Sequence, residues 1–305
     1  MGVLPPRISE QVREALQALG GGNRITAVAP IGGGCINHGA RIESDRGRSF
    51  FLKWNSSAPA GMFEAEVDGL RALRSALSLR VPEPLATGDG TDGPSWLLME
   101  HIPQSAPITD YDERLGSGLA KLHLCTGPEA SFGWGRANWI GSLPQANEET
   151  GSWIDFWSDR RLAPQLDLAR SLGYLRGGEQ LLDRMMGSVS LALADVDDGP
   201  AHLLHGDLWS GNAYAGPGGE PVLIDPAVYR GHGEVDLAMT ELFGGFGTRF
   251  YEAYADVAGI PGAYRAVRRD LYQLYYLLVH VNLFGEAYEG RTLAAARRVV
   301  AELGV

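Results

Sequence analysis

Two aspartates and an asparagine fall within one short stretch of this 305-residue chain, LLHGDLWSGNAYAGPGGEPVLIDP, which ends at Pro226. Asp207 and Asn212 stand in D-x-x-x-x-N spacing, and Asp225 follows an apolar run, Val222-Leu223-Ile224, whose composition predicts a buried strand. Such a set suits phosphoryl transfer. A hydroxyl that attacks the terminal phosphoryl of ATP must lose its proton, and an aspartate within hydrogen-bond reach, here Asp207, accepts or steers it. Magnesium prefers hard oxygen, so Asn212 and Asp225 would hold it while its phosphate and water positions stay open. A polar turn at His205-Gly206-Asp207 and a strand-ending turn at Asp225-Pro226 would explain either fragment alone. They explain the pair, flanked by apolar runs, less well.

A phosphate grip is expected from earlier in the chain. Gly32-Gly33-Gly34 lies between two strand candidates, where backbone without side chains can approach a polyphosphate; a plain hairpin turn would use the same residues. Lys53, in FFLKWN on the third strand, stands where a kinase places the lysine that meets the inner phosphates. Its partner is expected to be Glu66, which falls beside the Phe63, Val67 and Leu70 stripe of the following helix. Glu64, two residues away, cannot share that face. Glu100, His101 and Ile102 close the last strand of this region, and their backbone would meet an adenine edge.

The elements that must position these groups divide into two patterns. Ile8, Val12, Leu16 and Leu19 mark a first helix ended by Gly20-Gly21-Gly22. Strands are expected over 25–31, 35–43, 49–54 and 95–102, with a helix over 62–77 between the third and fourth. Beyond Pro103 helices are expected around Leu115 to Leu122 and over 153–172, 179–193, 235–243 and 264–288, with extended chain only near Leu204 and Val222 to Ile224. This reads as an α+β, bilobal protein-kinase-like fold: an ATP-binding lobe over 1–102, an antiparallel sheet plus helix, and a mainly helical catalytic and substrate-binding lobe over 103–305.

Composition narrows the partners. A net charge of −11 argues against nucleic acid or an anionic membrane, and 45% hydrophobic residues supply a core. The two cysteines, Cys35 and Cys125, make neither a disulfide framework nor a zinc spacing, which favours a reducing cytoplasm. The N-terminus shows no signal-peptide pattern, and the apolar stretch from Leu271 to Phe284 is short for a bilayer and carries Gln273, His280 and Asn282.

Beyond these readings, the chain resembles the fructosamine kinase (ketosamine-3-kinase) family, a branch of the protein-kinase-like fold related to aminoglycoside phosphotransferases and choline kinases. The resemblance is carried by GGGCINHG (32–39), FLKWN (51–55), MFEAEVDGLRAL (62–73), FGW with NWIGSLPQAN (132–147), WIDFWSDRRLAPQLDLA (153–169), HGDLWSGN (205–212), LIDPAVYRGHGEVDLAMTELFGGF (223–246) and YQLYYLLVHVNLFG (272–285). It implies ATP and Mg2+ as cofactors and transfer to the 3-hydroxyl of a free or protein-bound ketosamine, in deglycation. It further implies Asp207 as proton acceptor, Asn212 and Asp225 as magnesium ligands, and Lys53 with Glu66 as the phosphate-side ion pair. Trp209 would wall the sugar or its amine, or pack the lobe beneath it. A monomer or weak dimer is expected.

Departures and leftovers carry their own expectations. D-P-A replaces D-F-G at Asp225, so a phenylalanine-driven switch is absent. Gly233 stands where the family usually has arginine, which leaves open how Glu234 and Asp236 are held. His205 is expected to brace the loop, and His280 and Asn282 to bond a neighbouring loop from a core helix face. Cys35, after the glycine triplet, would be either a redox-sensitive thiol or a buried apolar residue. Competing readings are a kinase of aminoglycosides, choline or another small alcohol, and a non-catalytic nucleotide-binding scaffold.

Overall fold

The structure is a computed structural model that describes residues 4–32, 36–88, 94–125 and 131–305. It forms two compact units, one made of 1–111 with 213–225 and the other of 112–212 with 226–305.

Alternation builds the first unit. Helix α1 (Pro6–Ala18) precedes strands β1 (Ile25–Ile31), β2 (His38–Ser44) and β3 (Ser49–Asn55), helix α2 (Met62–Ser75), and strands β4 (Pro84–Gly88) and β5 (Ser95–Glu100). The sheet is antiparallel with order β1-β2-β3-β5-β4. On β3, Phe50, Leu52 and Trp54 point to one face, where with Ile42, Trp96 and Leu98 they pack against Ile8, Val12 and Leu16 of α1. The side-chain period of two therefore sends Lys53 to the opposite face, the one α2 covers with Phe63, Val67 and Leu70. β4, which includes Pro84, is an edge strand, the place where a missing N–H costs least.

The second unit is helical. It holds α3 (Tyr111–Leu124) from its second residue, a short hairpin of β6 (Asn138–Ile140) and β7 (Leu143–Gln145), and α4 (Trp153–Phe156), which runs through a π-helical turn at Trp157–Leu162 into α5 (Ala163–Ser171). After α6 (Glu179–Gly187) and α7 (Val189–Leu193) comes β8 (His202–Leu204). The hairpin of β9 (Ala213–Ala215) and β10 (Pro221–Leu223) belongs to the first unit, where Leu223 N–H donates to the Arg80 carbonyl and Ser105 N–H to that of Ala215. β11 (Tyr229–Gly231) then pairs with β8, and α8 (Glu234–Phe243), α9 (Thr248–Ala258), α10 (Arg269–Phe284) and α11 (Glu289–Leu303) complete the chain.

α10 is the axis of this unit, buried continuously from Asp270 to Val279 and packed against α5, α8 and α11. A helix apolar on all sides is stable only inside protein. Its tyrosines still place their hydroxyls: Tyr275 on Gln145, Tyr276 on the Gly206 carbonyl, and Tyr272 as acceptor from Trp153 Nε1. Gly285, at φ +81°, stops the helix short of the expected residue 288, and the expected helices over 153–172 and 179–193 are each interrupted.

His232 lies buried beside Phe132 and stacked on Trp153 at 4.8 Å. Burial, reinforced by His202 and Arg268, pushes its pKa from 6.5 down to about 3. Between those values the unfolded chain binds a proton that the folded chain refuses, so stability falls as pH drops from 6.5 toward 3. The slope attributable to this residue is at most about 1.4 kcal/mol per pH unit. Urea midpoints measured across that range should show a shallower decline for His232→Phe than for the unaltered chain.

Candidate active site

Lys53 is the centre of charge in the first unit. Its ammonium donates to Glu66 Oε1 at 2.9 Å and Oε2 at 3.0 Å, and to Asp225 Oδ1 at 3.1 Å. Lys53 is buried, and the Glu66 side chain is 11% exposed whereas that of Asp225 is 40% exposed. Burial alone would push the lysine pKa down. The carboxylates of Asp225 and Glu66 outweigh it and hold the pKa above the usual 10.5, so the ammonium stays charged. Burial pushes Glu66 up, with Lys53 opposing. The choice between Glu66 and Glu64 is thus settled by which helix face meets β3.

Asp225 has φ +54°, a left-handed conformation that aspartate and asparagine tolerate better than other non-glycine residues, followed at once by Pro226. Its carboxylate, partly exposed and adjoining a fixed cation, is a hard oxygen donor of the kind magnesium takes. Gly32 has open space around it, while Gly33, Gly34 and Cys35 lie outside the described residues. At the end of β5 the Glu100 carboxylate is taken by Arg80, and Glu100 N–H donates to the Glu83 carbonyl at 2.8 Å. The Ile102 carbonyl accepts from Tyr214 at 3.0 Å. Tyr214 was not singled out in the sequence, because a tyrosine in the run Asn212-Ala213-Tyr214 carries no spacing signal. His101, next to Ile102 in the chain, is half-buried and contacts Ser49 Oγ at 3.2 Å.

In the second unit, the loop that carries Asp207 is held by its backbone. Asp236, fully buried at the start of α8, accepts from His205 N–H at 2.8 Å and from Gly206 N–H at 2.9 Å. Burial would push the Asp236 pKa up, but His123 and those N–H groups hold it below the usual range. His123 Nε2 lies 3.1 Å from Asp236 Oδ2 and its Nδ1 2.7 Å from Tyr254 Oη. Since a carboxylate only accepts, Nε2 carries the proton. Gly206 sits at φ +81°, and a Cβ there would overlap the Ala227 carbonyl, so this position requires glycine on both counts. Asn212 donates its Nδ2 to the Asp207 carbonyl at 2.8 Å and lies 3.4 Å from Oδ2 of that side chain. Its nitrogen is thereby committed to the loop that carries Asp207.

Trp209 is 37% exposed, with its ring over Gly211. His205 is buried, and its Nδ1 accepts from Asp207 N–H at 3.3 Å. His280 bonds the Tyr276 carbonyl of its own helix, and Asn282 donates to Gln165 of α5, so neither reaches a loop. The place of the family arginine is filled differently. A Cβ at Gly233 would overlap His123 Nδ1, while Arg268 makes a two-pronged pair with Glu234, both bonds at 2.7 Å, and reaches Asp195. No group of three or more potential His, Cys, Asp or Glu metal ligands occurs among the described residues.

A model of the fructosamine kinase family matches residues 7–302 of this sequence. The chain belongs to the fructosamine kinase family. It is 42% identical to a Synechocystis protein named as a probable ketoamine kinase, over 87% of this chain and 88% of that one. Identity to the chloroplastic protein-ribulosamine 3-kinase of Arabidopsis thaliana is 38%, covering 93% and 86% of the two chains. The crystal structure of a Thermobifida fusca YX-ER1 protein assigned as a fructosamine-3-kinase superposes with a TM-score of 0.84 at 34% identity, over 96% of this chain and 98% of that one. Aminoglycoside phosphotransferase APH(4)-Ia, in a ternary complex with ADP and hygromycin B, shares the fold, with a TM-score of 0.62 at 19% identity over 95% and 98% of the chains. The α+β, two-lobed kinase-like architecture expected from the sequence is the one this family member has. Among the described residues, no helix is long and apolar enough to cross a membrane.

Proposed function

We propose that this fructosamine kinase family member is an ATP-dependent kinase that phosphorylates the 3-hydroxyl of ketosamines, the sugar adducts of amines, and so acts in deglycation. The observation that carries the assignment of its residues is the buried ammonium of Lys53 shared between Glu66 and Asp225. A cation costs much to bury, and one held by two carboxylates is kept charged for a negative ligand.

In this reading Lys53 meets the inner phosphates, with Gly32, Gly33 and Gly34 offering backbone N–H groups and the Glu100 to Ile102 backbone meeting adenine. Asn212 and Asp225 would hold magnesium, which when bound neutralises charge on the triphosphate. Asp207 accepts the proton of the 3-hydroxyl as its oxygen bonds to the γ-phosphorus and the bond to ADP breaks. Trp209 walls the sugar or its amine. Positioning and charge stabilisation supply most of the rate, as in other phosphoryl transfers. We place the protein in the reducing cytoplasm as a monomer or weak dimer, without nucleic-acid or membrane partners; an exposed cysteine outside any disulfide, Cys125, suits such a compartment.

The test is a panel of acceptors with ATP and magnesium: fructose- and ribulose-modified lysine, an aminoglycoside and choline. The expected result is ATP consumption with the modified lysines alone, with sugar 3-phosphate seen by mass spectrometry and phosphorus NMR. Turnover confined to the aminoglycoside or choline would replace the acceptor, and none with any acceptor would favour a scaffold.

A further inference from the structure

The β6–β7 hairpin and the segment just after it carry three buried amides whose donors and acceptors interlock. Asn138 Oδ1 accepts from Gln145 Nε2 at 2.7 Å and from Asn147 Nδ2 at 3.0 Å, while its own Nδ2 donates to the Val228 carbonyl at 2.7 Å. Gln145 Nε2 also donates to the Ala227 carbonyl at 3.2 Å, and its Oε1 accepts from Tyr275 at 2.6 Å. Asn147 Oδ1 accepts from the buried guanidinium of Arg161 at 2.7 Å, and its Nδ2 reaches the Arg136 carbonyl at 3.1 Å. Tyr275 and Arg161 fix which end of each amide is which, because reversing Gln145 would set its oxygen against Asn138 Oδ1 and the Ala227 carbonyl, both acceptors, and strand a tyrosine proton. All three amides are at most 5% exposed.

What the network grips is backbone. Ala227 donates its N–H to the His205 carbonyl at 2.9 Å while its own carbonyl takes Gln145, so this residue joins the hairpin to the loop that carries Asp207. The His205 and Gly206 N–H groups are held by Asp236, and the Gly206 carbonyl by Tyr276 at 2.9 Å. Every polar backbone atom of the two residues before Asp207 is thereby bonded, and the His205 carbonyl is the one served from the hairpin side.

We propose that Gln145 is a positioning residue for Asp207, acting through Ala227 and the His205 carbonyl. It touches no substrate. Its bond to the Ala227 carbonyl, and its bond to Asn138, which in turn holds the Val228 carbonyl, fix the segment after Pro226 in the place that a mobile D-F-G phenylalanine would leave adjustable, so the loop is set in a single state by a folded hairpin. This role presupposes the phosphoryl-transfer reading.

Gln145→Glu keeps the size of the side chain and the acceptor for Tyr275 but removes both donors. The expected result is a kcat lowered by about 10- to 100-fold with KM for ATP and for the ketosamine nearly unchanged, the scale of a small misplacement of a reacting group. Tyr275→Phe, which leaves the donors but frees the amide to turn, should lower kcat in the same pattern and by less. Hydrogen–deuterium exchange of the protein without ligands gives a second readout. The N–H groups of Ala227 and of residues 205–207 should exchange faster in Gln145→Glu, with α10 and α11 unaffected. Should Gln145→Glu not fold, Tyr275→Phe decides by the same two measurements. Unchanged exchange in these segments overturns the positioning role even if the unaltered chain phosphorylates nothing. Unchanged kcat beside an active wild type overturns it as well.

Discussion

Asp207→Asn lowers turnover on a ketosamine by about 100- to 10,000-fold, the usual range for losing a group that accepts a proton in the transition state. ATP affinity stays close to that of the unaltered chain. The loop survives the substitution because it is held by main-chain atoms. Asp236 binds the N–H groups of His205 and Gly206, and Asn212 donates to the Asp207 carbonyl at 2.8 Å, the shorter of its two approaches to this residue. Melting temperature should therefore move little, and rapid-quench kinetics should locate the loss in the chemical step. Near-normal kcat would remove Asp207 from the role of proton acceptor.

Lys53→Met has the second large effect, on stability and on ATP together. The substitution leaves Glu66 buried without its cation, and breaking a buried pair from one side costs about 3–5 kcal/mol. Partial exposure of Asp225, at 40%, lets water compensate that carboxylate and places the expected loss at the lower end. Because the pKa of Lys53 is raised above 10.5, the stabilisation is fully present below that pH and is lost only as pH rises beyond it. Urea unfolding at neutral pH should show the loss, and the double variant Lys53→Met with Glu66→Gln should regain most of it without regaining ATP binding. Equal stability of Lys53→Met and the unaltered chain would mean that the pair does not persist in solution.

How far the sequence disclosed these arrangements depended on the range of the interactions. The Lys53–Glu66 pair follows from two local periods, the alternation of β3 and the stripe of α2, so it was readable. β4 was not expected, since Pro84 and Gly88 depress strand propensity; only its place at the sheet edge makes it tolerable. α9 and α11 were likewise not expected, and the long helices inferred over 153–172 and 179–193 are broken. The break at Trp157–Leu162 is a π turn that brings Arg161 beneath Asn147, a tertiary demand with no local signature. The hairpin of Asn138 and Gln145 was visible as a motif but silent about its purpose, because amides bonded to distant carbonyls leave no periodic trace. Likewise the identity of the cation facing Glu234, Arg268 in place of a residue at 233, emerges only when the π turn at Tyr264–Arg268 is laid against α8.

The discontinuous membership of the first unit limits how this protein can be recombined. Its backbone passes from one unit to the other at 111–112, 212–213 and 225–226, and the returning piece supplies partners to Arg80 and Ser105. A chimera between homologues joined only after residue 111 would seat a foreign hairpin on a native sheet. An exchange that carries 213–225 along with 1–111 keeps both parents' packing whole, so gene shuffling should favour that two-piece graft over any single crossover.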